Sequence, residues 1–296
     1  MPTCLLAIGL SGLLCGGSIA RGQGPAPISG LAWADEHTLM AVHDAKNPAE
    51  NSKPRLSLIT VPKAGEQFHI DYVHVEWPSP GGPSSDLEAV AAIPGTPLLI
   101  AAESGQDFGK RKRLFLFKYD HHKLHPVSHG DWPFDVKNVE GVAITKVGGK
   151  LYFFYAERSD GKTTAHLRWA ELSLDPLKLG SFSDVKISCP EPSGSNTRAC
   201  AEIAFDPDGR IYVASTYDPG DNGPFNSVVW RVGNVKSEGD QAKVHVADPP
   251  ELIGKFPGTK VEGIAIHDLG GGKLEMFLGS DDENKGGQLK RVPIEK

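Results

Sequence analysis

Carboxylates recur at matched places along this chain. Short apolar runs open on Asp86 and Glu88, on Asn138 and Glu140, and on Glu262. The runs that follow such openings end on His43 and Asp44, on Glu103, on Glu157 and Arg158, and on Asp281 and Asp282. If the fold gathers these places, the acids share one small volume. Like charges that close raise one another's pKa values, so a bound cation, interleaved bases or protons must offset the repulsion. Ca²⁺ takes about six to eight oxygen ligands, whereas zinc prefers nitrogen and sulfur, so an all-oxygen ring suits calcium. The expected calcium ligands are Asp44, Asp86, Glu88, Glu103, Asn138, Glu262 and Asp281. Lys46, Lys137 and Lys260, with Arg198 nearby, would face a small anionic ligand such as a phosphate ester. Glu140, Glu157 and Arg158 form the candidate catalytic group: a carboxylate orients a water whose pKa a metal lowers.

The elements that must position these residues show themselves as a repeat. The phrase reads Ile28-Ser-Gly-Leu-Ala32, Leu87-Glu-Ala-Val-Ala91, Val139-Glu-Gly-Val-Ala143, Ala201-Glu-Ile-Ala204 and Val261-Glu-Gly-Ile-Ala265. A period of this size, with each unit opening on a short apolar strand, belongs to a propeller or a solenoid. Each phrase is followed by turn residues and a second apolar run, for example Gly148-Gly149 before Leu151–Glu157. That is hairpin chemistry. Third runs follow, and a fourth, polar and alternating, appears in every unit except the last. Runs such as Leu99–Ala102 and Phe153–Ala156 are apolar on both faces, as strands sandwiched between neighbouring sheets require. No polar caps for a solenoid are evident. The expected fold is an all-β propeller of five blades, six being the alternative, with three to four antiparallel strands per blade. Ser29 supplies no acid in the first unit, and Glu202, aligned without a gap, falls on the glycine position. The acid ring is therefore expected to be lopsided, strongest on units two, three and five.

The 296 residues, 39% hydrophobic and 23% charged, have a globular composition, and the 34 glycines and 23 prolines suit many tight turns. A formal charge of −6 argues against a nucleic-acid surface. Residues 1–20 read as a signal peptide, with an apolar core from Cys4 to Cys15 and small residues Ser18-Ile19-Ala20 at its end. Residues 21–27 form a Pro/Gly-rich leader, and 28–296 a single propeller domain. Secretion or periplasmic export is expected, lipid anchoring at Cys15 being the alternative. No other stretch is long and apolar enough to span a membrane, and a monomer is expected. In an oxidising compartment Cys189 and Cys200, which flank a loop, are expected to form a disulfide. Asp218, Asp221 and Asn222 lie in an oxygen-rich loop that reads as turn chemistry without EF-hand spacing.

Val139-Glu-Gly-Val-Ala143 with Tyr155-Ala-Glu-Arg158, and Asp86-Leu-Glu88 with Ala102-Glu-Ser104, resemble the blade signatures of phytase-like β-propellers, the group labelled "esterase-like activity of phytase". The resemblance spans about residues 28–293. It implies calcium bound by acids at a channel end, activating a phosphate ester for attack by water. Carried onto this chain, it implicates Glu88, Glu140 and Glu262, with Glu103, Glu157 and Asp281 beside them. The sequence leaves three functions open. They are phosphoester hydrolysis, non-catalytic binding of a ligand or protein at the same end, and lactone opening at a metal held by Glu140 and Asn138.

Overall fold

Five antiparallel sheets, one for each copy of the repeated phrase, follow one another along the chain. The structure, a computed structural model, describes residues 25–79, 81–106 and 112–295. The first blade comprises β1 (Gly30–Trp33), β2 (Thr38–Val42), β3 (Leu56–Thr60) and β4 (His69–Val73). The second comprises β5 (Leu87–Ala92), β6 (Leu98–Glu103), β7 (Arg113–Asp120) and β8 (Lys123–Asp131). The third runs β9 (Val139–Val147), β10 (Lys150–Glu157) and β11 (Thr164–Leu174), and both β12 (Leu177–Leu179) and β13 (Ser183–Ser188) pair with β11. The fourth runs β14 (Thr197–Phe205), β15 (Arg210–Tyr217), β16 (Asn226–Glu238) and β17 (Gln241–Pro257). The fifth has three strands, β18 (Val261–Gly270), β19 (Lys273–Ser280) and β20 (Leu289–Glu295). The inner strands β1, β5, β9, β14 and β18 touch in a ring that closes from β18 back to β1. This is a five-bladed propeller.

Apolar side chains on both faces of the middle strands explain why the blades stack. Phe153 and Phe154 are neighbours on β10, yet Phe153 joins the core shared with the second blade and Phe154 the core shared with the fourth. Leu99 and Ile100 divide in the same way on β6. Successive strand residues point to opposite faces, so each blade feeds two cores. Five hydrophobic clusters fill the five junctions.

The glycine of the phrase sets how closely inner strands approach. A Cβ at Gly141 would lie 2.6 Å from the Ile203 nitrogen, and one at Gly263 would lie 2.9 Å from Leu31 Cβ. Gly30 meets Ala89 Cα in the same way, at 2.9 Å. Among the described residues the ring closes without a borrowed strand. Gly287 N donates to Pro25 O at 2.8 Å, Ile28 N donates to Ser280 O at 2.9 Å, and Ile28 is fully buried.

The expected disulfide is not formed. Cys189 and Cys200 are free thiols, both buried in the core between the third and fourth blades. Burial pushes the Cys189 thiol up to about 12, which disfavours the thiolate that disulfide exchange needs. The signal-peptide segment and Cys15 lie outside the described residues. Among the described residues no helix is long and apolar enough to cross a membrane.

Candidate functional site

The glutamate of the phrase is the extra residue of a β-bulge. Val139 pairs with Glu157 and Gly141 with Ala156, which leaves Glu140 without a partner on β10. Leu87 and Ala89 bracket Glu88 in the same way against β6, and Val261 and Gly263 bracket Glu262 against β19. A bulge re-aims the side chain of its unpaired residue. Here it turns three glutamates toward one another at one end of the channel, where Glu88 lies within electrostatic reach of both Glu140 and Glu262. The residues just before the bulged phrases reinforce the geometry: Asp86 and Asn138 both adopt left-handed backbone, at φ 61° and 48°. Asp and Asn tolerate that region better than most residues.

Strand parity sorts the residues at the other end of each hairpin. His43, Glu103, Glu157, Ser215 and Ser280 hold equivalent places and turn away from the channel. His43 Nε2 lies 3.0 Å from Ser57 Oγ, Glu103 pairs with Arg113, and Glu157 pairs with Arg168 at 2.9 Å. Ser215 bonds the Val228 carbonyl, and Ser280 Oγ accepts from Gln288 N. The next residues, Asp44, Ser104, Arg158 and Asp281, point to the channel group instead. Asp44 pairs with Lys46, Ser104 donates to Asp86, Arg158 binds Glu140, and Asp281 faces Lys260.

Cations are threaded between these acids. Lys46 Nζ lies 3.0 Å from both Asp44 Oδ2 and Asp86 Oδ1. Arg158 Nε lies 2.8 Å from Glu140 Oε1. Arg198 spans three blades, 2.6 Å from Asp218, 3.3 Å from Glu262 and 3.8 Å from Glu140. Lys260 is buried among Glu262 at 3.1 Å, Asp281 at 3.5 Å, Asp218 at 3.6 Å and the Glu283 carboxylate. Acids still outnumber bases, and the surplus shows in their protonation. Burial, with Asp86, Glu140 and Glu262 beside it, drives Glu88 well above the carboxylate range. Burial lifts Glu262 to about 8 although Lys260 and Arg198 pull the other way. Burial also raises Asp281. It raises Glu202 strongly as well, where only the Ile203 N–H opposes it. Burial alone would lower Lys46, but Asp44 and Asp86 more than offset it, so its ammonium is held firmly protonated.

Of the expected calcium ligands, Asp44, Asp86 and Glu88 converge: one oxygen of each lies within 4.8 Å of the others. The donor set is entirely carboxylate oxygen, which fits a hard cation with water completing its shell. Glu262 and Asp281 belong to the Lys260 cluster on the neighbouring fifth blade, within electrostatic reach of Glu88 and Asp44. Glu103 is not at the site. It is fully buried, its Oε1 2.6 Å from Arg113 Nη2, and it accepts the Ser85 N–H, so it ties β6 to β7 and the loop before β5. Glu157 likewise serves Arg168 and the Lys137 backbone N–H, and the Lys137 side chain is exposed. Arg158 joins Glu140 at the channel, and Lys46 and Lys260 do so as well.

Asp218 and Glu283 were not expected there. Asp218 arrives because β15 runs on to Tyr217, two residues past the Ser215 at which the apolar run ends. Glu202 occupies the position that is glycine on β9 and β18: it pairs with Ala214 as Gly141 pairs with Ala156. Its Oε2 is buried with no hydrogen-bond partner among the described residues, and its Oε1 accepts from Ile203 N at 2.7 Å.

No protein-family model matches the chain, and no curated protein does. Solved structures match its fold. A thermostable family-43 glycoside hydrolase aligns with a TM-score of 0.55 at 11% identity, covering 93% of both chains. An endo-arabinase from Bacteroides thetaiotaomicron aligns at 0.51 and 10% identity, over 92% of this chain and 97% of its own. An α-L-arabinanase from Cellvibrio cellulosa, complexed with arabinohexaose, aligns at 0.51 and 13% identity, over 90% and 91%. At these identities the likeness is one of fold, and fold does not convey function.

Proposed function

We propose that the protein is an exported, monomeric hydrolase of phosphate esters that works at the acidic end of its channel, with calcium held by Asp44, Asp86 and Glu88. The observation that carries this reading is the convergence of those three carboxylates within 4.8 Å beside interleaved Lys46, Arg158 and Lys260. A cation corner next to basic side chains suits a ligand that is itself anionic. Bound calcium would polarise a phosphoryl oxygen and lower the pKa of a water. Glu140 is locked by Arg158 and directed at the channel by its bulge, so it accepts a hydrogen bond from the attacking water and orients it. Arg158 offers its remaining N–H groups to the phosphoryl oxygens, since guanidinium matches that geometry.

A second reading is favoured by the protonated carboxyls. Glycoside hydrolysis needs one carboxylic acid and one carboxylate. Glu88 and Glu262 have pKa values raised toward the first role. The family-43 glycoside hydrolase named above shares the propeller fold.

The test is a turnover panel of aryl phosphates, phytate, lactones and aryl arabinosides, each with calcium and with chelator. Calcium-dependent phosphate release supports the first reading. Arabinoside cleavage indifferent to chelator supports the second. Lactone opening would favour a metal at Asn138 and Glu140, and no turnover with calcium binding intact would leave a binding protein.

A further inference from the structure

We propose that Lys46 is a displaceable counter-ion: a divalent cation entering the Asp44–Asp86–Glu88 corner evicts its ammonium, which then reaches the anionic ligand. The inference rests on reading those carboxylates as the cation site. Lys46 Nζ lies 3.0 Å from one oxygen of Asp44 and 3.0 Å from one of Asp86, so it already engages two of the three carboxylates that an ion would need. Two cations cannot share those oxygens at contact distance without strong repulsion. One must leave.

Lys46 is built to be the one that moves. Its side chain is 40% exposed, against 21% for Arg158, 14% for Arg198 and 4% for Lys260. Its backbone stays fixed, because its N–H donates to Glu50 at 3.0 Å and the next N–H, of Asn47, donates to Ser85 at 2.9 Å. A pinned Cα with a long, partly solvated side chain lets the ammonium swing while its anchor holds. Lys260 makes the contrast. Enclosed by Glu262, Asp281, Asp218 and Glu283, it is a permanent resident of its own acidic cluster on the fifth blade. The channel end therefore has one exchangeable cation position and one fixed ammonium, and it binds in order, divalent cation first and anion second.

Calorimetric titration of Ca²⁺ and of phenyl phosphate into the wild type and Lys46→Met tests this. Removing the competing charge should tighten calcium binding roughly tenfold or more, while the gain in phenyl phosphate affinity that calcium gives the wild type should disappear. Acetylation of Lys46 in the wild type, followed by mass spectrometry, gives a second reading free of substitution: calcium should raise its reactivity as the ion pair opens. If both proteins bind calcium with equal affinity, or calcium leaves Lys46 acetylation unchanged, displacement is wrong while the cation site stands. If neither protein binds calcium, the cation site itself is wrong and the inference falls with it.

Discussion

Arg158 Nε lies 2.8 Å from Glu140 Oε1, so the residue just past the end of one strand of the third blade holds the bulged residue of the strand beside it. The pair links the Glu-Gly phrase to the Ala-Glu-Arg run that follows it in the same blade. The Glu140 side chain is 2% exposed while Arg158 keeps 21% of its own side chain open. The carboxylate is thus held in place by a guanidinium that itself keeps contact with solvent.

Glu140→Gln should lower turnover about a hundredfold or more, the lower range for loss of a positioned acid–base group. Calcium affinity should hold, because Glu140 is not among the converging three. A double-mutant cycle with Arg158→Ala should give a coupling of about 0.5–3 kcal/mol in urea unfolding, as for residues in direct contact.

Glu103 should behave in the opposite way. Its carboxylate is sealed against Arg113, whose Nε and Nη2 both reach it. Removing one partner of a buried pair costs about 3–5 kcal/mol. Glu103→Gln should therefore lower the unfolding midpoint sharply, with turnover per folded molecule unchanged.

Gly141→Ala probes the ring itself. The added Cβ would come within 3 Å of the Ile203 nitrogen and of Glu202 backbone atoms, none of which can rotate aside. Overpacking of this kind costs about 1–3 kcal/mol. Thermal unfolding should register the loss.

Stability should fall as pH rises from about 5 to 8. Glu262, lifted to about 8 by burial, keeps in the folded state a proton that the unfolded chain releases near 4.5. The native state then binds more protons than the unfolded one across that window, so raising pH favours unfolding. Glu88 and Glu202 shift in the same direction. His43 is lowered by burial and works oppositely below 6.5. Glu262→Gln should flatten the decline between pH 6.5 and 8, measured as urea midpoints at each pH.

The propeller was legible because its cause is periodic. Five phrases became five inner strands, and residues such as Phe153 and Phe154 declared both faces buried. The last unit lacked a fourth run, and its sheet has three strands. The site was only half legible. That Asp44, Asp86, Glu88, Glu140, Glu262 and Asp281 cluster is legible from their place beside strand ends. Glu103 and Glu157 were drawn in because adjacent residues at a strand end look alike until parity is known, and parity sends the first of each pair to Arg113 or Arg168. Asp218 was passed over because the length of β15 is set by pairing with β16 and not by hydrophobicity. Cys189 and Cys200 are both packed as free thiols in the core between the third and fourth blades, and the loop they flank in sequence does not tell a buried pair of thiols from a bridge.

Calcium-dependent hydrolysis of an aryl phosphate, followed in the wild type and in Asp86→Asn, tests the central claim most directly. Asparagine suits the left-handed backbone at residue 86, as Asn138 does at the matching place on the third blade, so the variant removes a charge and not the turn. Chelator should abolish turnover, and calcium activation should shift to about tenfold higher concentration in Asp86→Asn, since loss of one anionic ligand weakens a calcium site. Hydrolysis that persists in chelator, or an activation curve identical in the two proteins, would contradict that claim.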